Sequence, residues 1–351
     1  MTSGLFALDR HGDRDAADGM VDFAVNVRDR PPSFVVDALA ARLTDLHRYP
    51  AAADEEAAVD AIAAIHGRRR DEVLLLAGAA EGFELLARLA PKSAALIQPS
   101  FTEPEIALRG AGVPITQVVL DAPWRLEAAA VPEDADLVVV GNPTNPTSVL
   151  HPRASIEALR RPGRIIVVDE AFADLTVDTR TGSAEPESLA GTPLDDVVVI
   201  RSVTKTFGLA GLRVGYLLAS SEVIARLSAG RRHWPLGTLA LVALQICLGD
   251  AGQSYVRAQA QIVSDQRAAM VAALTDAGIR IAVAPSAPFV LIEEPDGLHV
   301  RERLRARGFA VRSAANFVGL GGDHLRLAVR DRHTVGDLLD ALAQVRKEIV
   351  R

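Results

Sequence analysis

Three groups with chemical potential lie in order along the chain: Asp169 at the end of RIIVVDEA, Lys205 in RSVTK, and Arg213 closing GLAGLR. Of the 38 basic residues only Lys92, Lys205 and Lys347 are lysine, and the rest are arginine. A lysine retained against that bias has a chemical reason, because a primary amine condenses with an aldehyde and a guanidinium does not. Lys347 ends a helical stretch and Lys92 comes after Pro91, so ordinary structural roles account for both. Ser202, Thr204 and Arg213 surround Lys205 with two hydroxyls and a guanidinium, which together suit a dianion held beside an amine. Asp169 leaves an apolar run, where a carboxylate costs desolvation unless a cation faces it.

The elements that must position these groups are short and continuously apolar. VLLLAG (73–78), AALIQP (94–99), DLVVVGNP (136–143), RIIVVDEA (164–171), DVVVIRS (196–202) and RVGYLLA (213–219) do not alternate, which is the pattern of strands buried on both faces. Helical patterns between several of them, such as EGFELLARLA and RASIEALR, mark crossover units. The expectation is an α/β fold with a mostly parallel sheet between helical layers, then a small α+β unit. The division expected is an N-terminal arm over 1–30, a large domain over 31–250, and a linking helix with the small domain over 251–351. The closing helix places Val335, Leu338, Leu339, Leu342 and Val345 at helical spacing, as packing residues.

In such sheets the functional residues gather beyond the carboxyl ends of the strands. The first run ends in GAAEG, where Ala79 and Ala80 open a helix whose free N–H groups suit a phosphate, although small residues there also serve simple packing. PSF projects Phe101, a core aromatic or a stacking surface. The two Asn-Pro pairs of GNPTNPT force extended backbone that can aim Asn145 into a cleft or merely form a loop.

Composition narrows the function classes. A net charge of −7 over 351 residues opposes a nucleic-acid or anionic-membrane surface, leaving a small molecule as the expected partner. The most apolar stretch, Leu236 to Leu248, is too short to span a bilayer, and the acidic N-terminus does not read as a targeting segment, so a cytoplasmic enzyme is expected. The single cysteine, Cys247, reads as a core thiol. The eight histidines are scattered without metal-ligand spacing, so no metal is expected. GAAEG fits neither nucleotide-binding glycine motif, which sets a nucleotide-dependent enzyme aside.

Taken in order, these motifs resemble the class I/II aminotransferase family with the type I pyridoxal-phosphate fold, from roughly residue 20 onward. The resemblance implies pyridoxal 5′-phosphate carried on Lys205, which would also move the substrate's α proton, and Asp169 paired with the pyridine nitrogen. It implies Ser202, Thr204, Arg213 and the backbone at Ala79 and Ala80 around the phosphate, Phe101 stacked on the ring, and Asn145 donating to the phenolic oxygen. Within the family the chain looks like the histidinol-phosphate aminotransferases and, more closely, the cobalamin-biosynthesis branch with threonine-phosphate decarboxylase. HRYP (47–50) resembles the segment that sends a tyrosine, here Tyr49, to the neighbouring subunit's cofactor phosphate, which implies a homodimer. HGDRDAADG with VDFAVNV resembles elements lining the substrate pocket and assigns Asn26 to substrate. HLRLAV makes Arg326 the anion clamp and AVRSA adds Arg312 for a substrate phosphate, against the alternative of surface ion pairs.

Four departures bear on the substrate. Phe172 replaces a tyrosine that contacts the phenolic oxygen, and Pro146-Thr147-Ser148 comes after Asn145 without the usual glycine. VRDRPP stands after Asn26 in place of Asn-Pro-Leu-Gly, and WPLGTLA lacks a common asparagine. Transamination and decarboxylation use the same lysine and aspartate, and differ in which substituent of the α-carbon is held perpendicular to the ring. The expectation is aminotransferase-type chemistry on a small, phosphorylated amino acid; decarboxylation of threonine phosphate and transamination of histidinol phosphate are the alternatives, and a non-catalytic cofactor binder is the remote one.

Overall fold

The computed structural model describes residues 16–28 and 30–349. Seven strands form the main sheet: β1 (Val73–Leu76), β2 (Ala94–Gln98), β3 (Ile115–Val119), β4 (Leu137–Gly141), β5 (Ile165–Asp169), β6 (Val197–Ser202) and β7 (Gly215–Leu218), in the order β1-β7-β6-β5-β4-β2-β3. All pairings are parallel except the two made by β7. β3 was not among the apolar runs: its sequence ITQVV lies at the sheet edge and buries only Val118, so it lacks the pattern of a doubly covered strand.

The continuous apolar runs serve two cores at once, because successive residues of a strand point to opposite faces. Val138, Val140, Ile166, Val168, Val197 and Val199 pack on one face with helix α3 (Thr238–Leu248) and the helix Ala52–His66. Leu137, Val139, Val167, Val198 and Ile200 pack on the other with helix α1 (Ala79–Leu85) and the helix Ser221–Ser228. The result is the expected layered α/β architecture. Cys247 lies in the first core, and burial pushes its thiol pKa up, as a core thiol requires.

The 27-residue helix Asp250–Asp276 leads to a second sheet of β8 (Arg280–Ile281), β9 (Phe289–Glu293), β10 (Arg312–Ser313) and β11 (His324–Ala328), ordered β10-β11-β9-β8 and antiparallel throughout. The final helix, Arg332–Ile349, buries Val335, Leu338, Leu342 and Val345 against it, with Leu339 partly covered. The strand Val21–Asp22 pairs with Phe309–Ala310 in a separate two-stranded sheet, and the next residue, Phe23, accepts the Ala328 N–H of β11 at 2.8 Å, which ties the N-terminal segment to the second sheet. Among the described residues no single helix is long and apolar enough to cross a membrane.

Candidate functional site

β1, β4, β5 and β6 end on one side of the sheet, and a cavity of about 140 Å³ lies there. Ala79, Ala80, Phe101, Asn145, Asp169, Ser202, Thr204, Lys205 and Arg213 all line it, together with Phe83, Ala171 and Phe172. Nine positions, singled out for their places at or beyond the ends of apolar runs or, for Arg213, for standing near Lys205, thus meet at one place. Phe83 and Ala171 carried no signal in the sequence beyond their helical or strand-end setting.

Lys205 is carried by α2 (Thr204–Phe207), the turn directly after β6. Its Nζ stands 5.7 Å from the centre of the Phe172 ring. Asp169 ends β5, and its Oδ1 accepts the Ala171 N–H at 3.0 Å. Burial pushes this carboxyl up to about 6, against the opposing pull of the Ala171 N–H and of Lys205. A carboxylate held in that condition is set to receive a cation.

The next residue has a different fate. Glu170 turns away from the cavity and is wholly buried, accepting from Arg201 at 2.9 Å, from Ser188 Oγ at 2.6 Å and from Leu189 N–H at 2.7 Å. Arg201 also holds Glu185 through two bonds of 2.7 and 2.9 Å. The cation demanded by a carboxylate at the end of β5 is therefore supplied to Glu170 by the adjacent strand, and Asp169 is the one left facing the cavity.

At the phosphate end, α1 begins at Ala79, and the first N–H groups of a helix have no intrahelical acceptors. Gly78 precedes it at φ +86°, and a Cβ there would sit 2.7 Å from Arg213 Nη2. Glycine is thus required both by backbone conformation and by the guanidinium pressed against it. Arg213 itself is held in the left-handed region at φ 52°, a strained setting for a side chain that faces a site. Ser202 Oγ accepts the Thr204 N–H at 3.2 Å, which orders the two hydroxyls beside Lys205.

Asn26, Arg312, Arg326 and Tyr49 are not among the residues lining this cavity. Arg326 reaches it indirectly, donating from Nη1 to Asn145 Oδ1 at 2.6 Å and from Nη2 to Ala24 O at 2.6 Å. That leaves the Nδ2 end of Asn145 as donor. Arg312 stands directly opposite Arg326 in the β10–β11 register, is buried, and donates to Asn316 Oδ1 at 2.8 Å. Both arginines are buried, so neither is a surface side chain. Asn26 is buried on the segment that Arg326 grips, and neither atom of its amide has a hydrogen-bond partner. Tyr49 is 72% exposed and stacks on Trp234 at 4.4 Å. His11 and Gly12, also singled out in the sequence, lie outside the described residues.

The family model for aminotransferase class I and II matches residues 18–342. The chain belongs to the class I and II aminotransferases. A histidinol-phosphate aminotransferase of Mycobacterium tuberculosis is 53% identical over 344 residues, covering 98% of this chain and 92% of that protein. A threonine-phosphate decarboxylase of Salmonella typhimurium is 28% identical, covering 93% of this chain and 92% of its own length. The crystal structure of the histidinol-phosphate aminotransferase from Clostridium acetobutylicum superposes with a TM-score of 0.83 at 25% identity, over 93% of this chain and 99% of that one. This aminotransferase is accordingly a pyridoxal-phosphate enzyme with the fold of that family. The cavity fits the cofactor's chemistry: an amine, a buried carboxylate set to receive a cation, and a helix start with two hydroxyls and a guanidinium for a dianion.

Proposed function

We propose that the chain transfers an amino group from a small phosphorylated amino compound, with histidinol phosphate the first candidate. The observation that carries this is the pair Arg312 and Arg326. These two buried guanidiniums stand directly across a strand pair, and each can grip an oxyanion bidentately. A transaminase must accept a donor and then an acceptor at one site, so such a pair would serve a phosphate in one half-reaction and a carboxylate in the other. Asn26, two residues after the Ala24 carbonyl that Arg326 grips and with both amide atoms unsatisfied among the described residues, adds a donor and an acceptor for substrate. The 53% identical relative named for histidinol phosphate supports the same substrate class.

The bound cofactor supplies an electron sink for the pair left on the substrate's α-carbon. The chain's residues take the remaining roles. Lys205 holds the cofactor through its amine and carries the proton to and from the α-carbon. Asp169 keeps a positive charge on the ring nitrogen, and Asn145 donates from Nδ2 to the phenolic oxygen. Phe101 would offer a face to the ring, while Ala79, Ala80, Ser202, Thr204 and Arg213 would hold the phosphate. Phe172 puts an apolar ring beside Lys205 where a hydroxyl would otherwise donate. The enzyme works as a homodimer in this reading, which is supported by the outward Tyr49–Trp234 stack and the exposed Leu43 and Leu46 nearby in the chain.

A second reading, decarboxylation of threonine phosphate, is favoured by the 28% identical relative of that name. Purified enzyme is mixed with histidinol phosphate plus 2-oxoglutarate, and separately with O-phosphothreonine. Glutamate formation is the expected result. Carbon dioxide released without a keto acid would establish the second reading instead, and turnover at the native rate by Lys205→Ala would overturn both.

A further inference from the structure

One buried carboxyl has no part in the chemistry above. Asp174, on the turn Ala173–Leu175, is buried, and its Oδ2 accepts from Thr206 Oγ1 at 2.5 Å while its Oδ1 has no partner. Thr206 is completely buried and comes directly after Lys205. A carboxyl placed there costs desolvation that a single hydroxyl does not offset, and burial pushes it up to about 7, with Arg201 pulling it down and Glu185 pushing it up. Packing alone would be met more cheaply by an apolar side chain.

The helix carrying Lys205 explains what the carboxyl is for. α2 is four residues long, and one helical turn does not hold itself together, since fixing its dihedrals costs more than its hydrogen bonds return. External contacts must fix it. One is the N–H of Arg28, which donates to Lys205 O at 3.0 Å, made possible by Gly208 at φ +66°, where a Cβ would lie 2.9 Å from the backbone of Arg30. Thr204 Oγ1 donates to Val214 O at 3.3 Å, and the Phe207 ring packs against Tyr255 at 5.3 Å. Among the described residues, the one contact made to the residue after Lys205 by a buried charged group is Thr206 on Asp174. The turn bearing Asp174 also begins just after Phe172, whose ring borders Lys205 Nζ, so one short segment touches the lysine from two directions.

We propose that Asp174 is a positioning residue for Lys205: by clamping Thr206 it fixes the turn that carries the amine and so sets where the amine stands in the cavity. This rests on the reading of Lys205 as the cofactor-bearing amine. The test is a pH titration of the holoenzyme's visible absorbance, with steady-state kinetics and thermal melts, for Thr206→Val, Thr206→Ser, Asp174→Ala, the double variant Thr206→Val/Asp174→Ala, and Lys205→Ala. Thr206→Val, which keeps the shape and removes the donor, moves the titration midpoint by about half a unit or more and lowers kcat roughly tenfold at unchanged KM. Thr206→Ser restores both, and the double variant is no worse than the more damaged single variant. A wild-type midpoint and kcat in Thr206→Val, with the absorbance titration abolished in Lys205→Ala, overturns the positioning role alone. Strictly additive losses in the double variant overturn it as well. A wild-type titration in Lys205→Ala overturns the underlying reading of the lysine. Thr206→Val keeps the test decisive even where Asp174→Ala does not fold.

Discussion

Arg326 Nη1 donates to Asn145 Oδ1 at 2.6 Å across 181 residues of sequence, joining the second sheet to the rim of the cavity. The residue proposed to grip substrate is thus wired to the residue proposed to face the cofactor ring. Arg326→Ala is expected to lower kcat/KM by roughly 10²-fold or more, about 3 kcal/mol, because a buried charge-assisted contact is lost and Asn145 is released with it. Arg312→Ala is expected to raise KM for the phosphorylated donor more than for 2-oxoglutarate. Steady-state kinetics with each substrate varied separately checks both.

Gly78→Ala tests the phosphate end. The added methyl meets Arg213 Nη2 at 2.7 Å and forces a side chain into the left-handed region. Cofactor affinity, measured by fluorescence titration with pyridoxal phosphate, is expected to fall by roughly tenfold to a hundredfold, and the backbone strain is expected to lower the melting temperature of the cofactor-free protein by about a few degrees.

Asp169→Asn tests the electrostatics through stability. Folding raises this pKa from 3.8 to about 6, so between those values the native state binds more protons than the unfolded one and stability falls as pH rises through that window. Asparagine carries no such charge. Cofactor-free Asp169→Asn is therefore expected to be more stable than wild type by about 2 kcal/mol at pH 7.5, a value discounted for water reaching the carboxyl from the cavity, and equal to it near pH 3.5. Urea unfolding at the two pH values checks the sign, and the same variant should bind cofactor poorly at both.

Arg201→Met tests the buried clamp. It removes the cation shared by Glu170 and Glu185, and leaving two carboxylates without it is expected to cost about 3–5 kcal/mol, read as a lower urea midpoint.

The large sheet and the cavity were legible because one physical rule served for both: doubly covered strands are continuously apolar, and the residues just past their carboxyl ends carry the function. β3 escaped it because ITQVV lies at the sheet edge with a half-exposed pattern. The partner of Glu170 escaped because Arg201 lies 31 residues away on the neighbouring strand, a distance that only sheet pairing removes. Asp174 and Thr206 left no pattern at all, since a single hydrogen bond between two turns has no periodicity. The long helix begins at Asp250, one residue before the start expected at 251.

The opposed placement of Asp169 and Glu170 has a consequence for how this lineage can change. Two consecutive acids, alike in charge, are told apart by direction alone: Asp169 closes β5 and faces the cavity, and Glu170, one residue past the strand, faces the clamp. Loss or gain of one residue within the strand would exchange them, sending the reactive acid into the clamp and the structural one toward the cavity. The count of residues along that strand therefore decides which acid reaches the cavity.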